Sequence, residues 1–119
     1  MIRVGRVSLL GLWNHWARGE TRPSHKDVIR HELGHVVLDK NLKLARQLGY
    51  GRLFGTPDSY HPKSHVSDYA ASNADEDFAE TAMFFLKHKG RMPRRFSRIR
   101  LRRKWNFIRR LGRHLRRKS

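Results

Sequence analysis

The sequence predicts a small, mainly α-helical domain, α+β at most, with little or no sheet. Two internal segments combine helix-capping residues with apolar residues at helical spacing, and the C-terminal segment is basic and amphipathic. The chain has 119 residues and no cysteine, which leaves room for one modest core and excludes disulfides and cysteine-based zinc fingers. No apolar run approaches the roughly 18 residues that a membrane span requires.

The first helix is predicted to begin after Ser24. Asp27 follows Ser24 by three residues, which is the spacing of a helix-capping signal, and apolar residues then recur at helical spacing. Two ends fit the pattern: the helix stops near residues 39–41, or it continues to the glycines of residues 49–51. Before this helix, residues 2–10 have room for a short strand.

The second helix is predicted to follow a loop-like stretch at residues 49–69, which Gly and Pro residues interrupt. Ser72 and Asn73 are suitable cap residues, and acidic side chains fill the first turn behind them. The apolar residues of this helix recur at helical spacing, namely Phe78, Ala79, Ala82, Phe85 and Leu86. One face of the second helix is therefore expected to be buried.

A sharp change in charge divides the chain into two parts. Residues 91–119 contain 14 Lys and Arg and no acid, whereas residues 1–90 contain 13 basic and 10 acidic residues. We therefore expect a body at residues 1–90 and a basic, helical tail at residues 91–119. Five apolar residues at helical spacing give that tail one apolar stripe: Leu101, Trp105, Ile108, Leu111 and Leu115.

Three partners suit a basic amphipathic helix: nucleic-acid phosphate, an anionic membrane surface, or a groove on an acidic protein. The alternative is that the stripe packs on the body while the arginines are solvated. Nucleic acid is narrowly favoured, because the tail has twelve Arg and two Lys and Arg binds phosphate in bidentate fashion. The candidate polyanion-binding residues are Arg94, Arg95, Arg98, Arg102, Arg103, Arg109, Arg110, Arg113, Arg116 and Arg117.

The candidate chemistry lies at residues 31–35, which have the sequence His-Glu-Leu-Gly-His. On a helix His31 and His35 lie about 40° apart on one face, so both imidazoles can reach one tetrahedral metal ion. Glu32 projects beside the pair and can act as general base on a metal-bound water, which is the arrangement of a zinc hydrolase. The alternative is an ordinary exposed polar helix face.

Two histidines leave such a metal short of one protein ligand. His61 and His65 lie in the loop-like stretch, with no helix to hold them. The second helix is better placed, since it opens with four acids: Asp75, Glu76, Asp77 and Glu80. Glu76 and Glu80 lie one turn apart on a shared face, whereas the two aspartates are expected to complement the helix N-terminus.

Residues 67–80, following residues 31–35, resemble the gluzincin catalytic domain shared by anthrax lethal factor and the bacterial Pro-Pro endopeptidases. The resemblance covers about residues 25–89 and depends on an HExxH motif followed by a Tyr, an Asn and a Glu at the start of a helix. It implies a minimal zincin-like domain with Zn²⁺ as cofactor, Glu76 as the third ligand, and the Tyr69 hydroxyl facing the scissile carbonyl. Family members carry a sheet formed largely before the motif, whereas only 30 residues precede His31 here.

These observations together favour a zinc-dependent endopeptidase acting on a protein or peptide substrate. Zinc-bound His usually donates its other ring N–H to a carboxylate or carbonyl, and Glu80 and Asp39 are candidates for that role. The alternative is a non-catalytic basic protein that binds nucleic acid or belongs to a virion, with a structural zinc site. Oligomeric state is open, and a cytoplasmic or virion-associated location is slightly favoured over secretion.

Overall fold

The computed structural model describes residues 25–54, 64–96 and 98–117, and helices dominate them. The α-helices are α1 (His25–Lys40), α2 (Leu42–Gln47), α3 (Tyr50–Leu53), α4 (Ala74–Lys87) and α5 (Ile99–Arg117), with 3-10 turns at Tyr69–Ser72 and Arg94–Phe96. The described ranges contain no strand, so the mainly helical prediction is confirmed. The strand predicted at residues 2–10, the Ser24 cap and His61 lie outside these ranges.

The residue at which α1 ends decides between the two helix ends that the sequence allowed. The helix stops at Lys40, and the Asn41 side-chain amide donates to the carbonyl oxygen of Val37 at 2.8 Å. α2 and α3 then continue the chain, and between them Gly49 adopts φ 105°, a left-handed conformation that glycine reaches without strain. Residues 42–53 therefore form two short helices rather than an extension of α1.

The start of α4 is confirmed at the predicted cap. The Asn73 side chain accepts a hydrogen bond from the Glu76 backbone N–H at 2.9 Å, which satisfies one of the helix's unpaired N-terminal donors. At the other end Gly90 has φ 83°, and its backbone N–H donates to the Phe85 carbonyl oxygen at 2.8 Å. The cap fixes where Glu76 and Glu80 stand along the helix axis.

α1 and α4 approach one another closely at a glycine. A Cβ atom at Gly34 would lie 3.0 Å from the Cα atom of Ala79 and 3.2 Å from its carbonyl oxygen. Real Cβ atoms meet backbone at such distances rarely, so an alanine at residue 34 would push the two helices apart. The central glycine of the His-Glu-Leu-Gly-His sequence thus sets the distance between the two helices that carry the candidate site.

The tail helix α5 packs on the body through its apolar stripe. Leu101, Trp105 and Leu111 are each at most 2% exposed, and Phe107 joins the cluster that contains Leu38 of α1. The Trp105 indole N–H also donates to the Gly90 carbonyl oxygen at 3.0 Å. The stripe is therefore part of the core, which is the alternative that the sequence left open for the tail. None of the described helices is long and apolar enough to cross a bilayer.

Candidate metal centre

Three side chains from α1 and α4 converge in the protein interior. His31 and His35 lie one turn apart on the face of α1 that meets α4, and Glu76 reaches them from the first turn of α4. The Nε2 atoms of the two histidines are 3.1 Å apart, and Oε1 of Glu76 lies 3.1 Å from His31 Nε2 and 2.7 Å from His35 Nε2. All three residues are at most 1% exposed.

These separations match what one metal ion requires of its ligands. With metal–ligand bonds of about 2.0–2.1 Å in a tetrahedral arrangement, neighbouring ligand atoms stand roughly 3.3 Å apart. The observed distances lie slightly below that value, so an ion can be accommodated by small outward shifts of the side chains. His31, His35 and Glu76 could therefore hold a metal ion.

The electrostatics of this group favour opposite charges on its members. Burial lowers the pKa of His31, but its hydrogen bonds and charge interactions with Glu76 and Glu80 outweigh burial and raise that pKa to about 9. Burial raises the pKa of Glu76, and the hydrogen bonds from both histidines outweigh it and lower that pKa to about 2. In the metal-free protein a proton on His31 thus supplies the positive charge that a metal ion would otherwise bring.

The second nitrogen of His31 is held by Glu80. Nδ1 of His31 lies 2.7 Å from Oε2 of Glu80, and the Ser67 hydroxyl donates to the other carboxylate oxygen at 2.7 Å. The backbone N–H of Ala70 donates in turn to the Ser67 hydroxyl at 3.2 Å. A carboxylate on Nδ1 fixes the tautomer in which Nε2 carries the free lone pair, as metal-binding histidines require. The sequence predicted this position for Glu80 but gave no signal for Ser67.

Glu32 is the buried carboxylate beside this group. It is 4% exposed, and neither of its carboxylate oxygens has a hydrogen-bond partner among the described residues. Burial raises its pKa, while the charges of His31 and His35 oppose that rise only in part. Buried carboxylates are normally hydrogen-bonded, so an unpartnered one is a candidate for proton transfer to a bound molecule.

Tyr69 reaches the group from the 3-10 turn before α4. Its hydroxyl donates to Oε2 of Glu76 at 3.3 Å, and its ring centroid lies 6.0 Å from that of His31. Burial, followed by the charge of Glu76, raises the pKa of the Tyr69 hydroxyl. The hydroxyl therefore keeps its proton at neutral pH and can act as a hydrogen-bond donor next to the converging ligands.

The candidate orienting acid Asp39 does not reach the site. Its side chain is exposed, and the atom that it would accept from, Nδ1 of His35, is buried without a hydrogen-bond partner among the described residues. One turn of helix separates Asp39 from His35, but its side chain lies on the solvent side of α1. Asp39 is thus a useful control position on the same helix.

The other acids of the α4 N-terminus serve different contacts. Asp75 accepts a hydrogen bond from the Tyr50 hydroxyl at 2.7 Å. Asp77 forms a buried ion pair with Lys104 of α5, with Oδ2 and Nζ 2.6 Å apart. His65 is buried but does not belong to the converging group.

The ten candidate polyanion-binding arginines are all exposed. Two of them belong to the Arg94–Phe96 turn, Arg98 directly precedes α5, and the other seven lie on α5.

Comparison with known proteins adds no external guide to this site. No protein-family model, no curated protein and no solved structure matches the chain.

Proposed function

We propose that this protein is a zinc-dependent endopeptidase of the HExxH type, with Glu76 as the third zinc ligand. The observation that carries the proposal is Glu32, a buried carboxylate beside three converging ligand atoms that has no hydrogen-bond partner in the part of the chain that the structure describes. A structural metal site has no use for such a group, whereas a hydrolytic one needs a general base. A set of two histidines and one glutamate is also typical of catalytic zinc, which leaves a coordination position for water or substrate.

In this proposal Glu32 performs the proton transfers. The zinc ion, when bound, supplies a Lewis acid that lowers the pKa of water and polarises the scissile carbonyl. Glu32 accepts a proton from the attacking water and delivers it to the nitrogen of the leaving amine. Its raised pKa suits this exchange, because a carboxyl with a pKa closer to neutrality both accepts and releases a proton readily.

Tyr69 is assigned to the developing negative charge on the carbonyl oxygen. Its hydroxyl keeps its proton because burial raises its pKa, so it can donate a hydrogen bond to an oxyanion. Its present bond to Glu76 is long, at 3.3 Å, and little is lost when the hydroxyl turns towards a substrate. This role agrees with the one that the gluzincin resemblance implies for Tyr69.

Substitution of Glu32 by glutamine tests the proposal. The amide is nearly isosteric with the carboxylate but cannot accept a proton, so Glu32→Gln should bind zinc and keep its fold while losing peptide hydrolysis. The assay is cleavage of a peptide library by the zinc-loaded protein, followed by mass spectrometry. Asp39→Asn is the matched control, since it neutralises an exposed acid of the same helix and should leave cleavage unchanged.

One result would replace this proposal with a second one. The deciding result is that the wild type and Glu32→Gln give the same peptide products, or none. The metal site is then better explained as a structural one in a non-catalytic basic protein. The near-complete burial of the three ligand residues favours that alternative. A structural zinc site also requires a fourth protein ligand, because structural zinc is coordinated by four protein side chains.

A further inference from the structure

A second candidate site lies between α3 and α5, away from the metal centre. The groove there has an apolar floor that includes Leu53 and Phe107. Its polar lining is the backbone around Gly49 together with five side chains, namely Arg52, Arg103, Asn106, Arg110 and Arg113. No acid is present among the described residues that line it. Four guanidinium groups in one groove attract an anion strongly, because no carboxylate among these described lining residues neutralises them.

The core packing of α5 fixes which side of the helix faces this groove. At 100° per residue, the buried residues from Leu101 to Leu111 occupy one side of α5. Eight of the nine exposed arginines from Arg98 to Arg117, all except Arg100, spread over an arc of about 140° on the other side. Arg110 is additionally held at the groove, because its Nη2 donates to the Leu48 carbonyl oxygen at 2.9 Å. The basic surface is therefore presented in one orientation by a packed helix.

The length of this surface indicates the size of its ligand. α5 has 19 residues, which correspond to about 28 Å of helix, and exposed arginines occur along the whole of it. One strand of duplex DNA places a phosphate about every 3.4 Å along the axis, so several phosphates fall within that length. A single small anion would use only a fraction of the surface.

The burial of the apolar stripe favours nucleic acid over a membrane surface as the partner of α5. An amphipathic helix adsorbs to a bilayer by inserting its apolar side chains, and here Leu101, Trp105 and Leu111 are already covered by the body. What α5 offers to a partner is charge and hydrogen-bond donors. Arg groups bind phosphate with two parallel N–H donors, and the Asn106 amide in the groove adds both a donor and an acceptor.

We propose that the arginine groove between α3 and α5 binds the phosphate backbone of nucleic acid, with Arg52, Arg103 and Arg113 contacting phosphates directly. This site is independent of the metal centre: its arginines lie on α3 and α5, whereas the converging ligands lie on α1 and α4. Arg52 is the residue that the tail sequence alone does not reveal, because it belongs to the body and meets α5 only in the fold.

The test measures binding of the full-length protein to a fluorescent DNA duplex of about 20 base pairs across a range of salt concentrations. The groove variant combines Arg52→Gln, Arg103→Gln and Arg113→Gln. Each phosphate contact contributes about −0.9 to the slope of log affinity against log salt, so losing three should make the slope shallower by about 2.7. At about 0.1 M salt this corresponds to roughly 500-fold weaker binding.

Two further variants separate the groove from overall charge. The control variant also loses three positive charges but elsewhere, at the exposed lysines Lys26, Lys40 and Lys43 of α1 and α2. The second variant replaces the same three groove arginines with lysine, which keeps the charge and loses the bidentate geometry. We expect the control variant to lose less than tenfold and the lysine variant to keep most of the salt slope.

Three outcomes would overturn the proposal. Equal loss in the groove and control variants would mean that overall charge, and not this groove, attracts DNA. Failure of the wild-type protein to bind either duplex DNA or a single-stranded RNA of the same length would remove nucleic acid altogether. Stronger and more salt-resistant binding to vesicles of phosphatidylserine and phosphatidylcholine would identify a membrane surface as the partner. All six substituted side chains are exposed, so circular dichroism should find the fold unchanged in every variant.

Discussion

Replacing Glu80 with glutamine should weaken metal binding by an amount that depends on pH. Glu80 is fully buried and lies 2.7 Å from Nδ1 of His31, on the side away from the converging Nε2 atoms. The amide of glutamine can still accept that hydrogen bond, so the shape is kept while the negative charge is lost. Loss of such an orienting partner typically costs 10–100-fold in metal affinity, or about 1.4–2.7 kcal/mol.

Proton competition at His31 determines at which pH this loss of metal affinity can be measured. With its pKa raised to about 9, His31 in the metal-free protein holds a proton at pH 7, and displacing it weakens metal binding by roughly 100-fold there. Glu80→Gln removes one of the causes that raise the pKa of His31. In the variant, proton competition therefore weakens metal binding less than in the wild type. The two effects oppose one another near pH 7, and the full deficit should appear near pH 9.

The assay is competition with a zinc chelator of known affinity at several values between pH 7 and 9. We expect the deficit of Glu80→Gln to grow with pH, and Asp39→Asn, the exposed acid on α1, to bind zinc like the wild type throughout. A deficit of equal size at every pH would indicate general damage to the fold. No deficit at pH 9 would refute the claim that Glu80 acts on zinc through His31.

The remaining predictions concern the oxyanion donor, the α4–α5 contact and the metal-free state. Tyr69→Phe should retain zinc and lose roughly 10²-fold or more in peptide turnover, measured on the best library substrate. Lys104→Met should lower the free energy of unfolding, measured in urea titrations, by about 3–5 kcal/mol, because Asp77 then stays buried without its ion-pair partner. Adding Asp77→Asn to this variant should recover much of the lost stability. Without metal, the raised pKa of His31 contributes stability that is complete below about pH 6.5 and is lost as pH rises through about 9, so thermal midpoints in chelator should fall across that interval.

Much of the candidate site follows from periodicity alone. The four-residue spacing of His31 and His35 requires a shared helix face, and the Asn73 cap fixes where α4 begins. Periodicity also places Glu76 and Glu80 on one face, but it cannot assign them separately. Their assignment depends on the position of α4 along α1, which brings the first glutamate to Nε2 of His31 and the second to Nδ1.

The parts that sequence could not predict all depend on contacts distant in the chain. The stripe of α5 identifies an apolar face, yet helical spacing does not say whether the body, a membrane or a partner covers it. Lys104 looks like any other basic tail residue until it meets Asp77 across 27 positions of chain. Ser67, which precedes the Tyr69–Ser72 turn, and Arg52, which lies on α3, likewise acquire a role only because other helices pack next to them.

A zinc-edge X-ray absorption spectrum of the loaded protein would decide whether His31, His35 and Glu76 form the proposed catalytic zinc site. We expect four ligands: two imidazole nitrogens and one carboxylate oxygen at about 2.0–2.2 Å, with the fourth an oxygen from water. That oxygen should be displaced by a hydroxamate inhibitor, which chelates zinc only where a position is open. A third imidazole or a second carboxylate in the spectrum, unchanged by the hydroxamate, would instead show a closed structural site and rule out the proposed catalytic one.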